Sequence, residues 1–321
     1  KGTLFRIMLD SGEKEILWEP VTEAEPGLNL RMDGSMLDDT AWIEGDRLYL
    51  QGEWESAGDF ESSYFCYDLS SGDLRELTAR ESGVTSIGAR GTKLYVMRTD
   101  MTYDGNTAPH YEVFDDETGD TTVLIDEVEI KKLGTFYNWT PSDGGIYYGR
   151  VSDAEASGQD VCGLYYYDLE AKTSTRLYQG ATQYSGLAIE PDWYWNPYGE
   201  LIADNNYMFC TFDLTRSQDG IYFSEPASGI YRYDAESGEA QQVVSGIACR
   251  ILDTEEGLYV TCSDTGEVYQ IENGEARFLL TLEKESQIAV RPVGVKNGVL
   301  YWNWYATDLS TGETKEHPVF R

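Results

Sequence analysis

Residues 219–238 read DGIYFSEPASGIYRYDAESG, and two strand-and-turn patterns stand side by side in them. The first is a Gly turn at Asp219-Gly220 followed by aliphatic, Tyr, apolar: Ile221-Tyr222-Phe223. The second is the alternating strand Ile230 to Asp234, closed by an acidic turn ending in Ser237-Gly238. Gly supplies the positive φ of a hairpin turn, and β-branched and aromatic residues after it start a returning strand.

Both patterns recur along the chain. The first returns as Leu48-Tyr49-Leu50, Leu94-Tyr95-Val96, Ile146-Tyr147-Tyr148, Leu258-Tyr259-Val260 and Leu300-Tyr301-Trp302, each just after a Gly. The second returns as Leu4 to Leu9 with Gly12, Tyr64 to Asp68 with Gly72, Tyr111 to Phe114 with Gly119, Val268 to Ile271 with Gly274, and Tyr305 to Leu309 with Gly312. Leu164 to Asp168 is a copy whose turn carries Lys172 instead of Gly. The copies lie about 50 residues apart, the period of a propeller blade built as a four-stranded meander. The first pattern gives strand b and the second gives strands c and d. Strand a precedes each Gly turn, as in Thr40 to Glu44 or Ile247 to Leu252. A lone blade cannot bury both faces, whereas blades stacked in a ring can, and closure leaves few free edges.

The sequence therefore predicts an all-β fold, a single β-propeller domain over residues 1–321 with four-stranded antiparallel blades. Six blades are expected, the closing one a hybrid that puts residues 4–18 and 288–304 in one sheet. The short interval from Tyr301 to Gly312 favours that closure. Seven blades, the first incomplete, is the alternative. The segments around Tyr301-Trp302, Leu164 to Asp168 and the Tyr-x-Tyr-Asp turns resemble the YWTD-type propellers of LDL-receptor-related proteins. They resemble more closely the bacterial propellers grouped with those by similarity, although Tyr301-Trp302 is followed by Asn303-Trp304. That resemblance implies an exported or lipid-anchored protein at a bacterial cell surface.

Composition narrows the function. The formal charge is −33, from 24 basic and 57 acidic residues. Nucleic-acid binding needs a basic footprint to neutralise phosphates, and anionic membrane surfaces repel the same charge. A protein, peptide or glycan partner is expected for a monomer, with no nucleic acid and no direct anionic membrane contact. No stretch approaches the roughly 20 apolar residues of a membrane helix. The start at Lys1 instead of Met reads as a processed or trimmed product.

In a meander blade the a–b and c–d turns leave at one end, and the b–c and d–a connections at the other. The first kind is tight here. The long connections, 19–40, 53–63, 99–110, 152–163 and 179–206, are all of the second kind, and long loops in compact domains often carry function. The richest, Gln183 to Asn206, holds Trp193, Tyr194, Trp195 and Tyr198, the candidate ligand-binding residues. Aromatics beside polar groups suit stacking on sugar rings or peptide capture, although they also suit packing of the loop onto its own ring. No cofactor is expected, though Asp100 to Asn106 carries oxygen ligands at a spacing open to structural Ca²⁺ without matching an EF-hand.

Catalytic signatures are lacking. His110 and His317 lie in no motif, and neither a nucleophile elbow nor a phosphate-cradling loop is present. No catalytic or metal-binding residue is assigned. A non-catalytic binding module is one reading. A propeller hydrolase or lyase with a carboxylate or metal centre in the axial channel is the other. Of five Cys, Cys249 and Cys262 are placed symmetrically about the turn Thr254 to Gly257. In an antiparallel hairpin centred there they face each other, as a disulfide or as two packed thiols.

Overall fold

The computed structural model describes residues 4–8, 13–18, 28–31, 41–56, 59–78, 84–98, 110–126, 137–150, 163–180, 194–195, 201–202, 213–225, 228–247, 249–263, 265–283, 290, 292–302 and 305–316. Among them the structure is all strand and turn, with no helix. Six antiparallel blades follow one another along the chain and form a β-propeller fold.

A two-stranded hairpin opens the chain, β1 (Leu4–Ile7) with β2 (Lys14–Trp18). The first blade holds β3 (Leu28–Arg31), β4 (Ala41–Glu44), β5 (Arg47–Ser56), β6 (Asp59–Asp68) and β7 (Leu74–Glu76). The second runs β8 (Val84–Arg90), β9 (Lys93–Arg98), β10 (His110–Asp115) and β11 (Thr121–Ile125). The third runs β12 (Tyr137–Pro141), β13 (Gly145–Arg150), β14 (Gly163–Asp168) and β15 (Thr173–Gln179). A small pair, β16 (Tyr194–Trp195) and β17 (Leu201–Ile202), comes next. The fourth blade is β18 (Leu214–Ser217), β19 (Gly220–Glu225), β20 (Gly229–Asp234) and β21 (Glu239–Ser245). The fifth is β22 (Cys249–Thr254), β23 (Gly257–Cys262), β24 (Glu267–Glu272) and β25 (Glu275–Thr281). The sixth is β26 (Pro292–Lys296), β27 (Val299–Trp302), β28 (Tyr305–Asp308) and β29 (Thr314–Glu316).

Six blades agree with the expectation, but the hybrid closure does not hold. The sixth blade is complete in itself, because β27 pairs with β28 through Tyr301↔Ala306 and β28 pairs with β29. The N-terminal hairpin is a separate two-stranded sheet. Strands of four and three residues, β28 and β29, fit the interval that looked too short for a full unit. A second correction concerns residues 53–63, expected as a long loop. Residues 53–56 and 59–63 instead continue β5 and β6 as ten-residue strands paired out to Ser56↔Asp59. β3 satisfies the outer half of β5 through Leu28↔Trp54 to Arg31↔Gln51, while β4 pairs with its inner half. Strand a of this blade is thus made in two pieces.

The chain divides into two compact units. One comprises residues 1–135, 141–147 and 167–174, and the other 136–140, 148–166 and 175–321. Within each, one packing rule repeats. The period of two along strand b sends its Tyr to one face and its aliphatic residues to the other. In the first unit Tyr49, Tyr64 and Cys66 pack on Ala89, Leu94, Val96 and Phe114 of the second blade. In the second unit Tyr222 packs with Leu258, Val260 and Ile271, and Tyr259 with Val295, Leu300 and Trp302. The b-strand Tyr of one blade therefore covers the aliphatic face of the next.

The c–d turns share one mechanism. Asp68 Oδ1 accepts from the Ser70 and Ser71 amides at 2.8 and 2.9 Å, and the Gly72 amide donates to the Asp68 carbonyl at 2.8 Å. Asp168, Asp234 and Asp308 accept from their own turns in the same way. The closing residue sits in the left-handed region, at φ 80° for Gly72, and Lys172 takes it at φ 52° in the turn that lacks Gly. This Asx geometry explains why Asp recurs there. The next amide ties this turn to the a–b turn of its own blade, as Leu69 to Asp46 O at 2.8 Å and Leu309 to Gly298 O at 2.9 Å.

Candidate functional site at the long-connection end of the fourth blade

The turn ends of the blades spend much of their polarity on themselves. The Asp carboxylates hold their own turn amides, and carboxylates on a–b turns hold the neighbouring blade's turn. Glu44 accepts from Gly91 N at 3.1 Å in the first unit, and Glu256 accepts from the amides of Asn297 and Gly298 in the second. Those amides hold the Glu256 carboxyl below the usual range. The opposite ends carry a different chemistry.

β19 ends at Glu225, and Ser228 stands just before the start of β20 at Gly229. Glu225 is buried, and its carboxylate accepts from the Ser228 hydroxyl. The Ser228 amide donates to the Glu225 carbonyl at 3.0 Å, and its hydroxyl lies 3.2 Å from the Tyr231 hydroxyl. Gln242 Nε2 donates to Ser228 O at 2.6 Å, and Gly246 N to the same oxygen at 3.2 Å. Gly229 makes the approach possible, because a Cβ there would stand 2.1 Å from Val244 O. A register shift between Ile230 and Tyr231 follows at once, and such bulges re-aim side chains.

Tyr178, at the far end of β15, completes the group. Its ring centroid lies 5.0 Å from Tyr231 and 5.1 Å from Phe223, and Phe223 stacks on Tyr231 at 5.7 Å. Burial pushes the Tyr178 phenol up, with the Tyr231 hydrogen bond and the Glu225 charge adding to it. The result is one carboxylate and three hydroxyls in a chain against an aromatic wall. Its phenol stays protonated at neutral pH, and Ser228 donates to a carboxylate with no imidazole in the group, so the arrangement suits hydrogen bonding and ring stacking.

The sequence missed this group because no motif marks it. Glu225-Pro226 looks like an ordinary turn, and Tyr178 is remote in the chain. Of the expected ligand-binding residues, Trp193 and Tyr198 lie outside the described residues. Tyr194 and Trp195 form β16, paired as Tyr194↔Ile202 and Trp195↔Leu201. The oxygen-rich loop Asp100 to Asn106 and His317 also lie outside the described residues. His110 lies in β10, with Nε2 3.6 Å from buried Glu112. Trp139 is a buried strand residue of β12.

Cys249 and Cys262 stand directly opposite in register, and their sulfurs are bonded at 2.09 Å with the Cα atoms 4.0 Å apart. Both sulfurs lie in the apolar core shared with the fourth blade.

A second polar group lies at the turn end of the first unit. Asp116 occupies the position filled by Leu69, Leu169 and Leu309 in other turns, and its side chain is only 1% exposed. Arg75 Nη2 approaches it at 2.6 Å and Arg47 Nε at 3.7 Å, as charge contacts without aligned hydrogen bonds. Cys66 is buried beside it; burial, then the Asp116 charge, pushes its thiol up, which disfavours the thiolate form. The break in the turn pattern at Asp116 was the available sequence signal.

No family model matches the chain, and no curated protein matches it. Among solved structures, the β-propeller domain of the trilobed protease from Pyrococcus furiosus is similar, with a TM-score of 0.51 at 13% identity over 90% of this chain and 84% of that one. An acylaminoacyl peptidase has a TM-score of 0.49 at 13% identity, over 90% of this chain and 46% of its own. The Pyrococcus horikoshii acylaminoacyl peptidase has 0.47 at 13%, over 86% and 44%. This chain spans less than half the length of those two peptidases. The likeness is one of fold.

Proposed function

We propose that the chain is a non-catalytic binding module of the cell exterior, secreted or anchored at a bacterial surface, that takes a glycan or peptide at the long-connection ends of its blades. The observation that carries this reading is the asymmetry of the fourth blade. Its c–d turn carboxylate is occupied by its own backbone, while its other end gathers Glu225, Ser228, Tyr231 and Tyr178 against an aromatic wall. Hydroxyl and carboxylate groups beside tyrosine rings match the hydrogen-bonding and stacking needs of sugars and peptide amides. The charge of −33 disfavours nucleic acid and anionic membrane as partners. The buried cystine supports an oxidising compartment, where such bonds persist.

A thermal-shift screen with neutral oligosaccharides, short peptides and divalent cations tests the reading, since a ligand of the native state raises Tm. An oligosaccharide or peptide should raise it, and Tyr231→Ala should remove that rise. Replacing Trp193, Trp195 and Tyr198 together by Ala should weaken the same binding and leave the ligand-free Tm nearly unchanged. A shift produced by a divalent cation alone, accompanied by turnover of the bound compound, would contradict a non-catalytic role.

A further inference from the structure

Two Asn-Gly dipeptides stand in the turns of the fifth and sixth blades, and the fold surrounds them with opposite charges. Asn273-Gly274 joins β24 to β25, with Glu272 opposite Glu275, and Asn297-Gly298 joins β26 to β27, with Lys296 opposite Val299. Both are two-residue loops whose central residues have positive φ, 53° and 81° in the first and 53° and 71° in the second. Asn-Gly is the sequence that such turns favour. It is also chemically labile, because the Gly amide nitrogen can close on the Asn side chain with no Cβ in the way. Both Asn residues are exposed. With the backbone geometry matched, the surroundings of the attacking nitrogen set the two apart.

At Gly298 a negative charge holds that nitrogen. Its amide donates to Glu256 Oε2 at 3.0 Å, and the Asn297 amide donates to Glu256 Oε1. Attack requires the Gly amide to give up its proton, and a carboxylate beside it disfavours the resulting anion. At Gly274 the neighbouring charge has the other sign. A Cβ on Gly274 would stand 3.3 Å from Arg232 Nη1 and 3.4 Å from its Cζ. The guanidinium is fixed there, because Nε donates to Asp219 O at 2.8 Å and Nη2 donates to the same oxygen. The carboxylates of Asp219 and Asp234 make their nearest approach to Nε and Nη2, at 3.7 and 3.9 Å. Glu272 of the same turn is paired with Arg277 at 3.4 Å. Among the described residues no carboxylate accepts from the Asn273 or Gly274 amide.

We propose that Asn273 is a site of spontaneous covalent modification in the folded protein, deamidation through a cyclic imide, and that Glu256 protects Asn297 from the same reaction. The Gly274 amide loses its proton to solvent base, and its nitrogen lone pair forms a bond to Asn273 Cγ. The Cγ–Nδ2 bond breaks, and Nδ2 leaves as ammonia with a proton from solvent. Water then opens the imide at one of its two carbonyls and gives aspartate or isoaspartate. The sum is amide plus water to acid plus ammonia, with no change of oxidation state. Arg232 favours the amide anion at Gly274, and Glu256 disfavours it at Gly298. The product adds a carboxylate next to Glu272 and Glu275, and its isoaspartate form lengthens a turn whose size fixes the register of β24 on β25. This site is independent of the fourth-blade group and stands or falls without it.

Folded, oxidised protein held in mildly alkaline buffer and sampled by peptide mass mapping reads the two sites separately. Asn273 should convert at least about tenfold faster than Asn297, the factor expected where a hydrogen bond to a charged group must first be lost. In urea-unfolded protein the two rates should come together, since both are then open Asn-Gly. Glu256→Gln, which keeps the size and removes the charge, should raise the Asn297 rate several-fold and leave the Asn273 rate unchanged. Equal rates in the folded protein would overturn the proposal, as would an Asn273 that stays intact where the unfolded chain converts it. An Asn297 rate left unchanged by Glu256→Gln, or raised only in step with that of Asn273, would overturn the protecting role. A lowered rate would overturn it too, because the carboxylate would then be the base of the reaction.

Discussion

Gly246 shows how much rests on a residue that the sequence alone does not single out. It follows β21, and its missing side chain makes room for the cystine of the next blade. A Cβ there would meet Cys249 Sγ at 2.8 Å and Cys262 Sγ at 2.9 Å. Neither sulfur can retreat, because Cys249 and Cys262 are 3% and 0% exposed in a filled apolar core. Gly246→Ala should cost about 1–3 kcal/mol, the range for overpacking a core. Urea titration of the oxidised protein measures it, and in reduced protein, whose thiols can rotate apart, the loss should shrink. The facing of Cys249 and Cys262 was legible because it follows from the turn centre alone. The need for Gly246 was not, because it arises from an approach between blades. Asp116 is the converse case. Its place in the turn pattern was visible, but a carboxylate at a leucine position tells nothing of Arg47 and Arg75 until the blades are packed.

At the scale of the turn, the repeated Asp is a pH-sensitive element. The Ser70 hydroxyl and the Ser70 and Ser71 amides hold the Asp68 carboxyl at about 2, and the Ser310 hydroxyl with the Ser310 and Thr311 amides does the same for Asp308. The Asp234 carboxyl is lowered by its turn amides too. A carboxyl held lower in the folded state than in the unfolded chain stabilises the fold above the ordinary carboxylate range. That contribution is lost as pH falls through the folded value. Stability should therefore decline from about pH 4 to about pH 2 as these turns protonate. The double variant Asp68→Ala, Asp308→Ala should be less stable at pH 6 and show a shallower decline across that window. Urea midpoints measured at intervals from pH 2 to pH 6 check both; an unchanged slope would refute the turn assignment. Turns of this kind were readable because their geometry is local. The extent of β5 and β6 was not, because Glu53 to Ser63 is polar and lacks the apolar alternation that marks a strand. Its order comes from pairing, with β3 on one edge of β5 and β6 on the other.

For the molecule as a whole, the repeat of Gly turn, aliphatic, Tyr, apolar was enough to give the blade class and six blades. It could not decide how the last blade completes itself, since that depends on which segments meet. Short strands resolve it: β27, β28 and β29 close the sixth blade from within, and among the described residues the N-terminal hairpin is a sheet of its own. Amide–amide NOEs in perdeuterated protein test it most directly. The account predicts contacts between strands 299–302 and 305–308, in the register Tyr301↔Ala306, and none between 299–302 and 4–7. Cross-strand contacts from Val299–Trp302 to Leu4–Ile7 would contradict it.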